Sequence, residues 1–386
     1  MRIANYEPHH RDKLLHFLEH VLAGYPEKAN PRYFDWMFSK NPLGSSLATY
    51  ALLVDDADAI VGQIGTLRDR LRIAGRWVDS LWIIDLVIDP AFRGGVGARQ
   101  LFKQAMKSAA VVMATGVAPR IIPIYRGLGW QQLSPVRARY HVLRPSRLLA
   151  LAGGTDSPPE VSRPVRITLG IADPILRLAG RARARVRRAA RRLVPGALRV
   201  DTVDRFEGAW DDDLCRLTEA CGVTEYRNAA LLNWKFVERP LGRHEVLAIR
   251  SPGGGLRAMM VIKWMMRPDI AQWLEVADYL ALPDDAVGFL QLTQHVMSLA
   301  ADAGLDFVRF RLAHPAHVPL LRPPMWLDYT RPSVDDVFVF TKDEAIMGAL
   351  RSSPWHLTAL ASDRIETGRD EWQNQDDGVP APLSAR

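Results

Sequence analysis

The chain has 386 residues, of which 48% are apolar and 24% are charged. This composition is typical of a globular protein and argues against extended disorder. No run of about 18 apolar residues occurs, and the first residues lack the apolar stretch of a secretion signal, so we expect neither membrane spanning nor export. The two cysteines, Cys215 and Cys221, have no zinc-ligand spacing, so we expect a cytoplasmic protein without a metal.

Net charge is unevenly distributed along the chain. It is +8 over residues 1–150, +8 over 151–200 and −7 over 201–345, within a total of +7. A basic first half is compatible with nucleic acid, an anionic membrane or a phosphate-rich cofactor, and charge alone does not choose among them.

The periodicity of apolar residues predicts mixed α/β structure for the first 150 residues, with hairpins preceding one strand–loop–helix crossover. The predicted elements are a strand at 2–7, helices at 11–22 and 31–38, strands at 49–56, 59–75 and 76–89, a helix at 97–110, a strand at 111–116, a short helix or turn at 122–129 and a strand at 137–145.

Breaks in composition predict four segments. Residues 151–170 are rich in Gly, Pro and Ser, which marks a boundary. The predicted segments are a catalytic domain at 1–150, a linker with an Arg-rich helix at 151–199, a second domain at 200–345 and a C-terminal extension at 346–386.

Three ordered internal matches indicate duplication of the first domain. YFDWMFSKNPLG at 33–44 matches LLNWKFVERPLG at 231–242, which aligns Trp36 with Trp234. IDLVIDP at 84–90 matches ADYLALP at 277–283, and a third match aligns the turns at Trp130 and Trp326. Matches that keep their order along the chain are the signature of a repeat.

A glycine-rich turn follows the strand at 76–89 and precedes a helix. The segment LVIDPAFRGGVGARQLFKQAM places Arg93 and three glycines where the helix begins. Backbone N–H groups at a helix start bind anions, and an arginine adds charge-assisted hydrogen bonds, so this turn suits a pyrophosphate. A structural βα turn with a solvated Arg93 is the alternative.

Two motifs in this region resemble those of the GNAT N-acetyltransferase superfamily. The family signature V-x-P-x-x-R-G-x-G-x-G/A is similar to VIDPAFRGGVGA at 87–98, although Ile88 is an extra residue and Val96 stands at the central glycine position. The family motif Y-x-x-x-G-F is similar to YRGLGW at 125–130. The resemblance implies two tandem GNAT-like domains, each a mixed, mostly antiparallel sheet flanked by helices and joined by a basic linker helix.

The resemblance also implies direct transfer of an acyl group from acetyl-CoA or another acyl-CoA to a primary amine of a small molecule or sugar. Asp85 would accept the amine proton, and Tyr125 would protonate the leaving thiolate. The residues implied in cofactor binding are Leu86, Val87, Ile88, Arg93, Gly94, Gly95, Val96, Gly97 and Ala98.

Several alternatives stay open. Asp85 can instead pair with an arginine across the sheet, and Tyr125 can simply pack beside Trp130. The chain can also be a non-catalytic regulator that binds CoA or an acyl carrier protein, or a peripheral membrane protein. We expect no nucleic-acid partner.

The second repeat lacks the glycine-rich turn. At the equivalent place it carries Asp284 and Asp285, which would repel a pyrophosphate, and only Gly288 remains of the glycines. We therefore expect CoA to bind the first repeat alone.

The Arg-rich segment at 175–194 is predicted to be an amphipathic helix, with an apolar stripe that includes Ile175, Leu178 and Val186. Because the stripe has few bulky groups, we expect this helix to pack on the acidic second domain. An acidic partner such as an acyl carrier protein is the alternative, and membrane contact is not expected.

Overall fold

The computed structural model describes residues 1–152, 163–193, 198–242, 244–267, 269–329 and 336–358. Residues 153–162 of the predicted boundary at 151–170, and most of the C-terminal extension, 359–386, lie outside these residues. Residues 163–170 of that boundary are helical, because they form the start of the helix Arg163–Leu193.

The strands, in chain order, begin with β1 (Arg2–Asn5), β2 (Ala51–Val54), β3 (Ile60–Ile73), β4 (Arg76–Ile88), β5 (Val111–Thr115), β6 (Gln131–Leu133), β7 (Arg137–Val142) and β8 (Asp201–Val203). They continue with β9 (Val223–Glu225), β10 (His244–Arg250), β11 (Leu256–Arg267), β12 (Ala271–Leu280), β13 (Phe307–Leu312), β14 (Leu327–Asp328), β15 (Val337–Phe340) and β16 (Trp355–His356). The helices are α1 (Arg11–Val21), α2 (Pro31–Phe34), α3 (Gly97–Ala105), α4 (Ile122–Gly127), α5 (Pro145–Ala152), α6 (Arg163–Leu193), α7 (Asp211–Glu219), α8 (Ala229–Leu232), α9 (Ala286–Ala303) and α10 (Glu344–Ser352).

The described residues form two compact units that do not follow the chain order. The first unit comprises residues 1–136, 218–241 and 336–358, and the second comprises the described residues of 137–217 and 242–329. The sequence predicts consecutive domains divided near 150 and 200, whereas the compact units interleave along the chain.

The sheet of the first unit has the order β1-β2-β3-β4-β5-β15-β6, and β9 and β16 extend it beside β3. Most neighbours are antiparallel, but β4 and β5 run parallel because α3 connects them. Its core lies between the sheet and helices α3 and α4, where Leu101, Phe102 and Phe338 are fully buried. β15 comes from the second half of the chain and is antiparallel to both β5 and β6.

The sheet of the second unit has the order β14-β7-β13-β12-β11-β10-β8. Here β12 and β13 are the parallel neighbours, connected by α9, whose buried face includes Phe289 and Val296. β7 comes from the first half of the chain and is antiparallel to β13, as β15 is to β5 in the first unit. Each sheet thus contains a strand from the other half of the sequence.

The duplicated tryptophans contact each other inside the first unit. The Trp36 indole N–H donates to the Trp234 carbonyl at 2.8 Å, and the Trp234 indole N–H donates to the Trp36 carbonyl at 2.9 Å. Their rings stack with centroids 5.1 Å apart. Each lies in a π-helical turn that follows a short helix, α2 or α8. Equivalent residues of the two repeats thus have the same local fold and reciprocal bonds, which supports duplication.

Candidate active site

The glycine-rich turn is an exposed loop between β4 and α3. The Asp89 carboxylate accepts a hydrogen bond from the Ala91 N–H at 2.8 Å, which holds a short turn at Pro90–Phe92. Arg93 follows, and its Nε donates to the Ile88 carbonyl at 3.0 Å. Within the described chain, the two terminal nitrogens of Arg93 have no hydrogen-bond partner, so they are available to an anion.

The residues of this loop have distinct roles. Gly94 has φ +88°, a backbone angle that residues other than glycine rarely adopt, and the space beside its Cα is open. Gly97 starts α3 in close contact with β2, since a Cβ there would lie 2.6 Å from Leu53 Cδ2. Val96, at the family's central glycine position, has φ −76° and a 62% exposed side chain. Because this backbone conformation does not require glycine and the side chain points into solvent, valine at this position is compatible with the exposed loop.

The start of α3 leaves backbone donors uncommitted. The first N–H groups of a helix have no partner within the helix, and they carry its positive dipole end. Here these donors belong to residues 97–99, directly after the exposed residues 93–96, and Ala98 is half-buried. The loop can therefore bind an anion such as a pyrophosphate.

Strand β4 separates from β5 before it reaches this loop. The two strands pair from Ser80–Val111 to Trp82–Met113, but β4 continues to Ile88. Leu86, Val87 and Ile88 pair only with β3 in the described structure. One backbone edge of these residues therefore has no strand partner, and apart from the Ile88 carbonyl, which accepts from Arg93, it can hydrogen-bond an extended ligand.

A β-bulge lies immediately before this free edge. Ile64 pairs with Leu86 and Thr66 with Ile83, so Ile84 and Asp85 together oppose Gly65. The bulge directs Asp85 away from the next residue, Leu86, which packs on the core formed with α3 and α4.

Asp85 forms an ion pair that the sequence did not predict. Its carboxylate lies 3.0 Å from Lys28 Nζ, in a pair with side-chain exposures of 24% and 9%. Lys28 belongs to the 3₁₀ turn Pro26–Ala29, so this partner of Asp85 is a lysine from outside the sheet, whereas the sequence alternative named an arginine across the sheet. Burial, and then the Asp85 charge, raise the pKa of the Tyr50 hydroxyl. No motif marks Lys28 or Tyr50 in the sequence.

Tyr125 lies in the aromatic core of the first unit. Its ring makes edge-on contacts with Phe102 and Trp130, at centroid distances of 4.7 and 4.8 Å, and 4% of the residue is exposed. Burial raises the pKa of Tyr125, so the phenol stays protonated at neutral pH. Leu86 packs against this same core, whereas Asp85 is bonded to Lys28, so the two predicted catalytic residues contact different clusters.

The equivalent site of the second unit has a similar bulged strand that separates from its parallel neighbour, but the start of its helix is not open to an anion. The pairing of β12 with β13 ends at Val276–Phe310, and β12 has a bulge opposite Val261 and Ile262. At the start of α9, however, the Asp285 carboxylate accepts the Gly288 N–H at 3.0 Å and binds Arg257 at 2.8 Å. The helix start is capped by the protein's own carboxylate, which leaves no cradle for a phosphate.

The comparisons with known proteins agree with this geometry at the level of fold. No protein-family model and no curated protein matches the sequence. The structure of a GCN5-related N-acetyltransferase from Anabaena variabilis is similar with a TM-score of 0.56 and 11% identity, over 89% of this chain and 74% of that one. A GCN5-related N-acetyltransferase from Kribbella flavida is similar with a TM-score of 0.53 and 13% identity, over 97% of this chain and 85% of that one. The N-myristoyltransferase of Saccharomyces cerevisiae with bound myristoyl-CoA is similar with a TM-score of 0.51 and 12% identity, over 88% of this chain and 78% of that one.

These similarities cover most of the chain, including both repeats. They confirm the resemblance that the loop at 87–98 and the turn at 125–130 indicated, and they confirm the mixed α/β class. The chain therefore has the GNAT-superfamily fold, in two tandem GNAT-like copies.

Proposed function

We propose that the chain is an acyl-CoA-dependent N-acyltransferase that uses acetyl-CoA or another acyl-CoA and acts on the primary amine of a small molecule or sugar. One observation carries the proposal. An exposed, glycine-rich helix start follows a strand with a bulge and a free backbone edge, and within the described residues this combination occurs in the first unit alone.

The residues of the site fit CoA in two places. The N–H groups of Gly94, Gly95, Val96, Gly97 and Ala98, with the Arg93 guanidinium, would bind the pyrophosphate. The free edge of Leu86, Val87 and Ile88 would bind the amide-containing pantetheine arm as a neighbouring strand would. The acyl thioester would then lie beside the bulge at Asp85.

The chemistry requires three proton transfers. Asp85 takes a proton from the acceptor ammonium, directly or through water, and the neutral amine nitrogen attacks the thioester carbon. A C–N bond forms as the C–S bond breaks, and Tyr125 gives a proton to the leaving sulfur. The nitrogen loses its second proton as it becomes an amide, and this proton restores the Tyr125 phenol through water. The buried phenol of Tyr125 is protonated, as a donor must be.

Free-thiol release from acetyl-CoA, measured on the full chain across a library of primary amines, tests this proposal. We expect amine-dependent release that stops when Asp85 is replaced by Asn. CoA binding without release across the library would favour the non-catalytic, CoA-binding alternative. A chain that neither binds CoA nor releases thiol would contradict the proposal.

A further inference from the structure

The long helix α6 turns its apolar stripe toward solvent. Ile171, Ile175, Leu178 and Val186 recur at spacings of three, four or eight residues and are exposed, with 72% of Leu178 accessible. Leu176 is also exposed, so this helix holds five of the fourteen large exposed hydrophobic residues in the described chain. Scattered surface apolar residues are ordinary, but a row along one helix marks an interaction surface.

The opposite face of α6 packs against other elements of the second unit, to which α6 itself belongs. A Cβ at Gly180 would lie 2.7 Å from Leu143 Cδ2 and 3.6 Å from Ala301 Cβ, and Ala184 is 1% exposed. The Arg177 and Arg181 guanidinium groups lie near Gly304, where α9 ends and its carbonyls favour positive charge. The sequence expectation that α6 packs on the second domain therefore holds for a face of small residues, and the apolar stripe takes no part in it.

Positive charge surrounds the exposed stripe. Residues 174–193 contain eight arginines and no acidic residue. At about 100° per residue, Arg185 lies on one side of the stripe and Arg183 on the other, and both are exposed. Ile171 to Val186 spans about 22 Å at 1.5 Å per residue. No helix in the described chain is long and apolar enough to cross a bilayer.

From this arrangement we propose, in place of the sequence expectation of no membrane contact, that α6 docks the protein on an anionic lipid surface, with the stripe at the acyl boundary and the arginines at the phosphates. A bilayer interface offers a flat apolar layer with phosphates on both sides of an embedded helix, which matches this order of groups. An acidic protein partner would need an apolar strip of the same length between two acidic rows. This inference does not depend on the proposed transfer reaction.

Co-sedimentation of the full chain with vesicles of phosphatidylglycerol and phosphatidylcholine tests the docking. We expect binding to the mixed anionic vesicles, loss of binding as salt is raised, and little binding to pure phosphatidylcholine. The double variant Arg183→Glu/Arg185→Glu should bind at least about tenfold more weakly. The control Arg32→Glu/Arg76→Glu changes exposed arginines elsewhere by the same charge and should bind as the parent does.

A second pair of variants separates docking from general charge attraction. Ile175→Ser/Leu178→Ser/Val186→Ser should also lose binding, whereas Val287→Ser/Leu327→Ser, at exposed apolar positions outside α6, should not. Unfolding temperatures and thiol release with a soluble amine should match the parent in all four variants. An equal loss of binding in the control arginine variant, insensitivity to the serine substitutions in α6, or binding of an acidic carrier protein through α6 without vesicle binding would each overturn the proposal.

Discussion

Asp85 and Tyr125 allow conservative substitutions that remove a proton-transfer group and keep the shape of the side chain. We expect Asp85→Asn and Tyr125→Phe each to lower turnover by ~10²–10⁴-fold with nearly unchanged CoA affinity, because both would act on protons and neither would bind phosphate. Steady-state kinetics and calorimetry check this. Asp79→Asn, at an 89% exposed position of the same strand, is the matched control.

The ion pair of Asp85 with Lys28 gives this experiment a second readout. If Asp85→Asn lowers the unfolding temperature while turnover per folded molecule stays at the parent level, the carboxylate is a structural partner of Lys28. In that case the proposed base is wrong, although the site can still bind CoA.

A buried carboxyl group at the junction of β9 and β3 predicts a pH-dependent stability. Burial, and then the nearby Asp69 carboxylate, raise the pKa of Glu225 to about 8, while Lys235 and Arg227 act in the opposite direction. The folded state thus holds a proton that the unfolded chain releases near pH 4.5. This contribution to stability is complete below the unfolded pKa, falls as pH rises toward 8, and levels off above it.

Glu225→Gln removes this titration and keeps the size of the side chain. We therefore expect the unfolding temperatures of parent and variant to be similar near pH 5, with the variant more stable near pH 9. Glu219→Gln, at an exposed position of α7, is the control and should follow the parent. Parallel curves for Glu225→Gln and parent across this pH range would contradict the assignment.

At the scale of elements, local patterns predicted much of the first unit correctly. The strands at β3 and β4, the helices α1 and α3 and the short helix α4 agree with the predicted ranges to within a few residues, because each depends on its own periodicity and punctuation. The π-helical turns at Trp36 and Trp234 were not predicted. Neither was the Lys28–Asp85 pair, since it joins residues 57 positions apart that no local pattern connects.

The loop before α3 carries the most direct prediction at this scale. Arg93→Ala should weaken CoA binding by roughly 1.5–3 kcal/mol, tenfold or more, because the free guanidinium nitrogens of Arg93 would no longer be there to bind the phosphates. The affinity for dephospho-CoA should fall by a similar factor. Calorimetry on the full chain measures both affinities, with Arg120→Ala as a control at an exposed arginine.

The same titrations count the binding sites. We expect one CoA per chain, because Asp285 and Arg257 already occupy the equivalent helix start in the second unit. Two CoA sites per chain would show that binding does not require the glycine-rich turn. An Arg93→Ala variant that binds CoA as tightly as the parent would show that Arg93 in this turn does not contact the phosphates.

At the scale of the whole molecule, the order of the units could not be predicted from local patterns. The aligned tryptophans predicted the repeat, and the two family motifs predicted the fold. The placement of β15 between β5 and β6 was not, because strand pairing at a separation of about 200 residues leaves no periodic trace in either partner. A short apolar strand such as β15 fits many neighbours equally well by sequence.

This arrangement predicts that residues 1–150 do not fold alone. Without the second half of the chain, β5 and β6 lose the strand that joins them, and Phe338 leaves its contact with Tyr125, where the ring centroids are 5.1 Å apart. Truncation of a buried aromatic side chain alone costs about 3–5 kcal/mol, a large part of the stability of a typical domain. We expect the fragment to show no cooperative thermal unfolding by circular dichroism, and co-expression with residues 198–386 to restore a folded complex. A soluble, monomeric 1–150 fragment that melts cooperatively and binds CoA would instead show that the first repeat is a self-sufficient domain.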